Sequence, residues 1–189
     1  MRKIIVSMQV SLDGFAAGEN GDLSWFQRDE PAQWSDLFDT LESVDLFLVG
    51  SNMFPLYRDY WKSVQSDKNA SKNHQRFAAF AASTPHFIFS NQLREAGWEN
   101  ARIIPGNAAE IVKNLKYQDG RDMMLLGGPE LAATIINTGQ VDELRLVVNP
   151  VLLSMGKSLF RLLAGPVKLQ LMYAKILPSG AAILRYCPA

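Results

Sequence analysis

The segment Asp122-Met123-Met124-Leu125-Leu126-Gly127-Gly128-Pro129-Glu130-Leu131 joins a short apolar run to paired glycines and then to a helical pattern. Such a junction suits a phosphate. Glycine lets the backbone approach a ligand closely, and the unpaired N–H groups at a helix start, with the positive end of its dipole, attract an anion. Pro129 fits the first helical turn, where its missing N–H costs little. Gly127, Gly128, Pro129 and Glu130 therefore form a candidate cofactor cradle, although a Gly-Gly pair alone equally makes a tight strand-to-helix turn. Its neighbours add weight. Asp45 to Val49 runs into Gly50-Ser51-Asn52, and His86 to Phe89 runs into Ser90-Asn91, whose short polar side chains can cap a helix or hold phosphate. Three such strand ends side by side would line the edge of a parallel sheet where ligands of open α/β sheets bind.

The first apolar run is followed by Ser11-Leu12-Asp13-Gly14-Phe15-Ala16-Ala17-Gly18. A carboxylate at a strand end can do proton chemistry or orient a polar substrate group, and Asp13 is the candidate catalytic residue; the plain alternative is a turn with a self-capping aspartate. Trp25, Phe26 and Trp34 are candidates for the wall of a pocket holding a flat ring, with Trp25 and Trp34 as substrate contacts, though aromatics at helical spacing also build cores. His74 and His86 lack partners at a metal-ligand spacing, so no metal site is assigned. Asp36 and Asp39 read as the wet face of their helix.

These residues need a scaffold, and the hydrophobic period supplies one. Strand-like runs at Lys3–Val10, Asp45–Val49, His86–Phe89, Arg102–Ile104, Asp122–Leu126 and Glu143–Asn149 alternate with helical spacing at Ala32–Ser43, Asn73–Ala82, Ala108–Tyr117 and Glu130–Thr138. That rhythm predicts a mostly parallel sheet with crossover helices. Asn107 caps one helix, and Thr138-Gly139 stops another. Val167–Leu177 and Ala181–Cys187, joined by Pro178-Ser179-Gly180, predict an antiparallel hairpin at the sheet edge. The polar stretch Gln65–Gln75 reads as a surface loop leading into a helix.

With 189 residues the chain fits one α/β domain spanning 1–189. Nineteen basic and nineteen acidic residues leave a formal net charge of zero, which gives no field for nucleic acid or an anionic membrane. The apolar run after Arg2 and Lys3 is too short for a signal peptide and lacks a cleavage site, and no stretch approaches a membrane span. One cysteine, Cys187, allows neither an internal disulfide nor a cysteine metal cluster. A cytoplasmic protein is expected.

In this order the motifs resemble the dihydrofolate-reductase-like superfamily, and within it the reductase domain of bacterial riboflavin-biosynthesis proteins. The residues that carry the resemblance are Ser11-Leu12-Asp13-Gly14-Phe15, Leu48-Val49-Gly50, Phe89-Ser90, Leu126-Gly127-Gly128, Val141-Asp142-Glu143-Leu144, and Asn149-Pro150-Val151-Leu152-Leu153 through Gly156-Lys157-Ser158-Leu159-Phe160. The resemblance implies a single-domain fold of that type, with helices on both faces of the sheet, and NADPH as cofactor, NADH remaining open. It implies dinucleotide contacts at Gly50, Ser90, Gly127 and Gly128, with Gln9, Val10 and Ala16 beside the nicotinamide, and the candidate cofactor-binding set is completed by their neighbours Ser51, Asn52, Asn91, Pro129 and Glu130. The family commonly has Gly-Arg-x-Thr where this chain has Gly50-Ser51-Asn52-Met53, which removes a bidentate phosphate ligand. A glycine-rich turn is replaced by Leu153-Ser154-Met155-Gly156. The acid that dihydrofolate reductases keep on their first helix is also missing, Trp34 lying near its place, and Asp13 is the substitute. The expected activity is reduction of a pyrimidine- or pterin-like heterocycle, nearest to 5-amino-6-(5-phosphoribosylamino)uracil reductase. The alternative is a non-catalytic nucleotide- or flavin-binding protein. The exposed C-terminal strands imply a homodimer.

Overall fold

The computed structural model describes residues 1–26 and 29–189. The described residues form ten strands and five α-helices. They are β1 (Ile4–Ser11), β2 (Phe15–Ala17), α1 (Pro31–Leu41), β3 (Val44–Gly50), α2 (Phe54–Ser66), α3 (Lys72–Ser83), β4 (His86–Phe89), β5 (Ala101–Ile104), α4 (Ala108–Lys116), β6 (Asp122–Leu125), α5 (Pro129–Asn137), β7 (Glu143–Asn149), β8 (Lys157–Ser158), β9 (Leu169–Ile176) and β10 (Ala182–Pro188). Eight strands form one sheet in the order β5-β4-β3-β6-β1-β7-β10-β9. The first six are parallel; β10 runs antiparallel to both β7 and β9. β2 and β8 pair separately.

Parallel strands covered on both faces must be apolar on both, and β1 is. Its Ile4, Val6, Met8 and Val10 join the core under α4 and α5. Ile5 packs on the opposite face, in the core made with α1, α2 and α3. Asn107 caps α4 by accepting the amide of Ala109 at 3.0 Å.

One helix, α2, has no counterpart in the expected elements, and it takes Gln65 and Ser66 from the presumed loop, which shrinks to residues 67–71. Its signal was present. Phe54, Tyr57 and Val64 lie on one buried face, and Pro55 sits in the first turn. β2 and β8 are too short to show a period, and only their mutual pairing defines them.

Asp36 corrects the reading of α1. It is buried, not wet, and its carboxylate accepts Arg145 Nε at 2.7 Å and Arg185 Nη2 at 2.8 Å. Arg145, on β7, also donates to Ser7 Oγ at 3.2 Å. Helical periodicity gives a residue's face but not what covers it, and here two arginines from neighbouring strands cover the face. Asp39 is exposed as expected.

The opposite end of the sheet, where parallel strands begin, is pinned by charge. Arg2 is ion-paired with Asp45, and Lys116 Nζ meets Asp142 at 2.7 Å, while the Asp142 carboxylate also accepts the amide of Ile4. His86 opens β4 at this end. Its Nδ1 lies 2.8 Å from the carbonyl of Thr84, which can only accept, so Nδ1 carries the proton and Nε2 accepts from Tyr57 Oη at 3.0 Å. Burial lowers the His86 pKa to about 4, with the Thr84 carbonyl opposing the shift.

Two measurements check this account. Asp36→Ala strands two guanidinium groups, one of them fully buried, and should lower unfolding free energy by roughly 3–5 kcal/mol in urea titration. A loss under ~1 kcal/mol would mean the network is not a net anchor. Because neutral His86 is favoured only in the folded state, stability should fall as pH drops from about 6.5 toward 4, at up to ~1.4 kcal/mol per pH unit. His86→Gln should flatten that part of the profile; an unchanged slope would acquit His86.

Candidate functional site

All six parallel strands end on the same edge, and the sheet order puts β4, β3 and β6 side by side there. The loops that begin with Ser90, Gly50 and Leu126 are consequently neighbours, with the β1 and β7 loops next along the edge.

Gly50 and Gly128 bring the loops after β3 and β6 into backbone contact. A Cβ on Gly50 would stand 3.2 Å from Gly128 Cα, and one on Gly128 would stand 3.1 Å from Gly50 Cα. Gly50 also donates its N–H to the carbonyl of Gly127 at 3.3 Å. Gly128 has φ +88°, so a substitution there is both strained and obstructed. The glycines are thus required by contact between two strand ends, whatever binds above them.

Two helices start at this crossing. α2 begins three residues beyond Gly50, and α5 begins directly after Gly128. Neither has a side-chain N-cap, and both carry proline in the first turn. Their first N–H groups have no intrahelical acceptors, and two positive dipole ends meet at one place, which is the electrostatics an anion needs. Around the crossing, Met53 packs its side chain toward Gly127, and Asn52 Nδ2 donates to Glu130 Oε2 at 3.3 Å. Glu130 therefore brings a carboxylate of its own to the first turn of α5. Among the described residues nearest the crossing, Ser51 and Asn52 are neutral, and no arginine stands where a bidentate phosphate ligand was missed in the sequence.

Ser90 and Asn91 organise their loops. Ser90 Oγ accepts the amides of Gln92 and Leu93 at 3.2 and 3.0 Å, leaving its hydroxyl proton to donate elsewhere. Asn91 Oδ1 accepts the amide of Gly106 at 2.8 Å, tying the β4 loop to the β5 loop.

Asp13 holds the next stretch of the edge. Its carboxylate accepts from Ser11 Oγ at 2.6 Å, from the amide of Ser154 at 2.8 Å and from the amide of Leu153 at 3.2 Å. The Ser11 hydroxyl, backed by those amides, keeps the carboxyl below its ordinary range despite a small opposing effect of burial. Such a group is ionised at neutral pH and serves as a clamp between two loops. The clamp explains the altered turn. Ser154 takes φ 60°, the left-handed region glycine would occupy more cheaply, and Asp13 accepts its N–H there. Next to it, a Cβ on Gly156 would fall 2.2 Å from the carbonyl oxygen of Ala17, so the two loops lie backbone to backbone.

Asn149 ends β7 beside Ser11, and Gln9 lies two residues before the end of β1. Asn149 Nδ2 lies 3.3 Å from Gln9 Oε1, and Asn149 Oδ1 is buried without a partner. Neighbouring Val10 and Ala16 turn their side chains into the core, which leaves only their backbone available to a ligand. Trp25 is half-buried, donates Nε1 to the carbonyl of Asp22 at 3.1 Å, and meets Phe26 edge to face at 4.5 Å. Trp34 is elsewhere. Its indole stacks on Phe38 at 5.7 Å and contacts Trp61, His74 and Phe77, inside the core of the α1 face, so the predicted three-aromatic wall is not assembled. Among the described residues, no group of three or more His, Cys, Asp or Glu is arranged to hold a metal ion.

Sequence reasoning missed the α2 N-terminus, the Asn149 amide and the Ser154 strain. The first had a signal in Pro55; the others arise only from contacts.

The comparisons with known proteins bear on this edge. The family model described as RibD C-terminal domain matches residues 2–183. YyaP, an uncharacterized protein of Bacillus subtilis (strain 168), is 32% identical over 185 residues, covering 98% of this chain and 94% of the relative. Among solved structures, a candidate riboflavin biosynthesis protein from Shewanella sp. PV-4 superimposes with a TM-score of 0.77 at 20% identity, covering 99% of both chains. A diaminohydroxyphosphoribosylaminopyrimidine deaminase/5-amino-6-(5-phosphoribosylamino)uracil reductase of Thermotoga maritima matches with a TM-score of 0.70 at 13% identity; all of this chain covers 57% of that one. A dihydrofolate reductase from Enterococcus faecalis, complexed with NADP(H), matches with a TM-score of 0.60 at 11% identity over 98% of this chain and 96% of that one. These structural matches show a dihydrofolate-reductase-like fold.

Ser154→Gly relieves the left-handed strain and should raise unfolding free energy by up to ~1 kcal/mol. Asp13→Asn should speed limited proteolysis between residues 150 and 157 with little change in melting temperature; unchanged cleavage would show that the clamp does not hold this loop.

Proposed function

The chain belongs to the RibD C-terminal domain family, and from that premise we propose that it is a cytoplasmic reductase that uses NADPH on a small pyrimidine- or pterin-like heterocycle. The nearest activity is that of 5-amino-6-(5-phosphoribosylamino)uracil reductase. The observation that carries this reading is the convergence of two uncapped helix starts on the Gly50–Gly128 crossing.

In this reading Gly127, Gly128 and the first amides of α5 hold one part of the pyrophosphate, Ser51 and Asn52 at the start of α2 hold another, and Ser90 and Asn91 flank the adenosine end. NADPH supplies the hydride when bound. The residues of the chain orient and enclose. Gln9 and the backbone of Val10 and Ala16 border the nicotinamide, and Gln9 with Asn149 offers amide donors and acceptors to the hydrogen-bonding edge of a heterocycle. Asp13 acts as a positioning residue that fixes the loop over the ring, and Trp25 supplies an aromatic surface.

Glu130 and the missing arginine favour a second reading, a nucleotide- or flavin-binding protein without turnover. A carboxylate in the first turn of α5 competes with phosphate for the same amides. The two readings separate in one titration. NADPH should bind saturably, quench tryptophan fluorescence and be oxidised by a ribosylaminopyrimidine. Ser51→Arg should tighten NADPH about tenfold by restoring a charged phosphate contact. Binding without oxidation across pyrimidines and pterins would favour the second reading; no binding to wild type or Ser51→Arg would end the first.

A further inference from the structure

Two side-chain carboxamide oxygens, Asn149 Oδ1 and Gln33 Oε1, are buried with nothing to accept. A buried acceptor without a donor is costly, so each calls for an N–H. The Asn149 amide cannot be turned over to relieve this. Its Nδ2 lies 3.3 Å from Gln9 Oε1 and from the carbonyls of Val10 and Val147, and those two carbonyls can only accept. Oδ1 is therefore the atom left over, on a residue only 1% exposed.

The two oxygens belong to one place. Arg145, Val147 and Asn149 alternate onto the face of β7 that α1 covers, and Ser7, which Arg145 contacts, shares that face with Gln9 on β1. α1 runs down this face against the strand direction, for Ala32 packs on the cluster that contains Val147 and Asp36 reaches Arg145. Gln33 follows Ala32 and stands one turn before Leu37, which packs on the cluster that contains Ile5 of β1. It consequently lies over Gln9, the sheet partner of Val147. Helical side chains lean toward the helix start, which carries the Gln33 carboxamide toward the strand ends and Asn149.

We propose that Gln33, Gln9 and Asn149 form a carboxamide subsite that selects a cyclic urea edge, with Gln33 and Asn149 as specificity-determining residues. The proposal rests on the reading above, which places the heterocycle at Gln9 and Asn149. Gln9 Oε1 is held by Asn149 Nδ2, which leaves Gln9 Nε2 to donate. The subsite therefore accepts, donates and accepts in turn, and an uncharged ring edge of N–H, C=O and N–H is its complement. Alkylated ring nitrogens leave both oxygens unpaired. A protonated ring fares no better. The next carboxylate along α1, Asp36, already gives Oδ2 to Arg145 and Oδ1 to Arg185.

Calorimetric titration with 6-aminouracil and 6-amino-1,3-dimethyluracil, with and without saturating NADPH, tests the subsite. The two methyl groups of the second compound cover the urea N–H pair. Wild type should bind 6-aminouracil about a hundredfold more tightly, and Gln33→Met or Asn149→Ala should each cut that ratio about tenfold. Gln33→Met keeps the side chain's size and removes an oxygen with no partner in the chain, so far-ultraviolet circular dichroism should not change. Asn149→Ala also removes the ties to Val10 and Val147, and Gln33→Met decides if that variant does not fold. No binding of 6-aminouracil to wild type, equal binding of the two compounds, or a ratio unmoved by Gln33→Met overturns the proposal. NADPH oxidation by a ribosylaminopyrimidine is scored apart. Turnover with an unmoved ratio removes the subsite and keeps the reductase reading; the expected ratios without turnover keep the subsite and favour binding alone.

Discussion

Two strand ends can touch through their backbones only where neither carries a side chain, and Gly50 against Gly128 is that place. The rest of the candidate site follows from this contact. It brings the ends of β3 and β6 together, and each leads within three residues into a helix whose first amides lack a side-chain cap. A Cβ at either position would press the two strand ends apart by a few tenths of an ångström, and at Gly128 it would also be strained by the positive φ. With no arginine at the crossing, the fixed peptide dipoles are what favours an anion there, and the Glu130 carboxylate in the first turn of α5 opposes them.

The paired charges of the fold lie elsewhere. Formal charges inside the fold are matched in pairs at other places: Arg145 and Arg185 on Asp36 under α1, Arg2 on Asp45 and Lys116 on Asp142 at the strand starts. Burial draws the Arg145 pKa down, and Asp36 opposes the shift, which holds α1 on β7 and β10. The last two pairs hold the end of the sheet where the parallel strands begin. At the opposite edge the loops are held by neutral amide and hydroxyl contacts of Ser90 and Asn91, and by the exposed carboxylate of Asp13.

Asp13 also shows how one substitution in a loop is made tolerable by another residue. Ser154 sits in a conformation that costs an L-residue about 1–2 kcal/mol, and the accepted N–H offsets part of that cost. The turn and the clamp form a unit, with β2 and β8 as its short ladder. Beyond it the chain leads to β9, the outermost strand, where Leu169, Leu171, Met172, Tyr173 and Ile176 stay exposed.

Much of this was legible in the residues alone. Period and punctuation placed the parallel strands, four of the five helices and the C-terminal hairpin, because those patterns record which face of an element leaves water. The glycine, serine and asparagine strand ends were legible as a group for the same reason, since parallel strands put all such ends on one edge. Partners were not legible. Asp36 looked wet because a helical pattern cannot show that Arg145 and Arg185 approach from strands more than a hundred residues away. Trp34 looked available to a ligand because spacing cannot tell a pocket wall from a ring packed on Phe38 and Phe77. Asp13 looked like an acid, and its three hydrogen bonds, two from a loop 140 residues on, made it a clamp. The sequence determined which elements form and which edge carries polar ends. The tertiary structure decided what each polar group touches, because ionisation and reach depend on neighbours that only folding brings together.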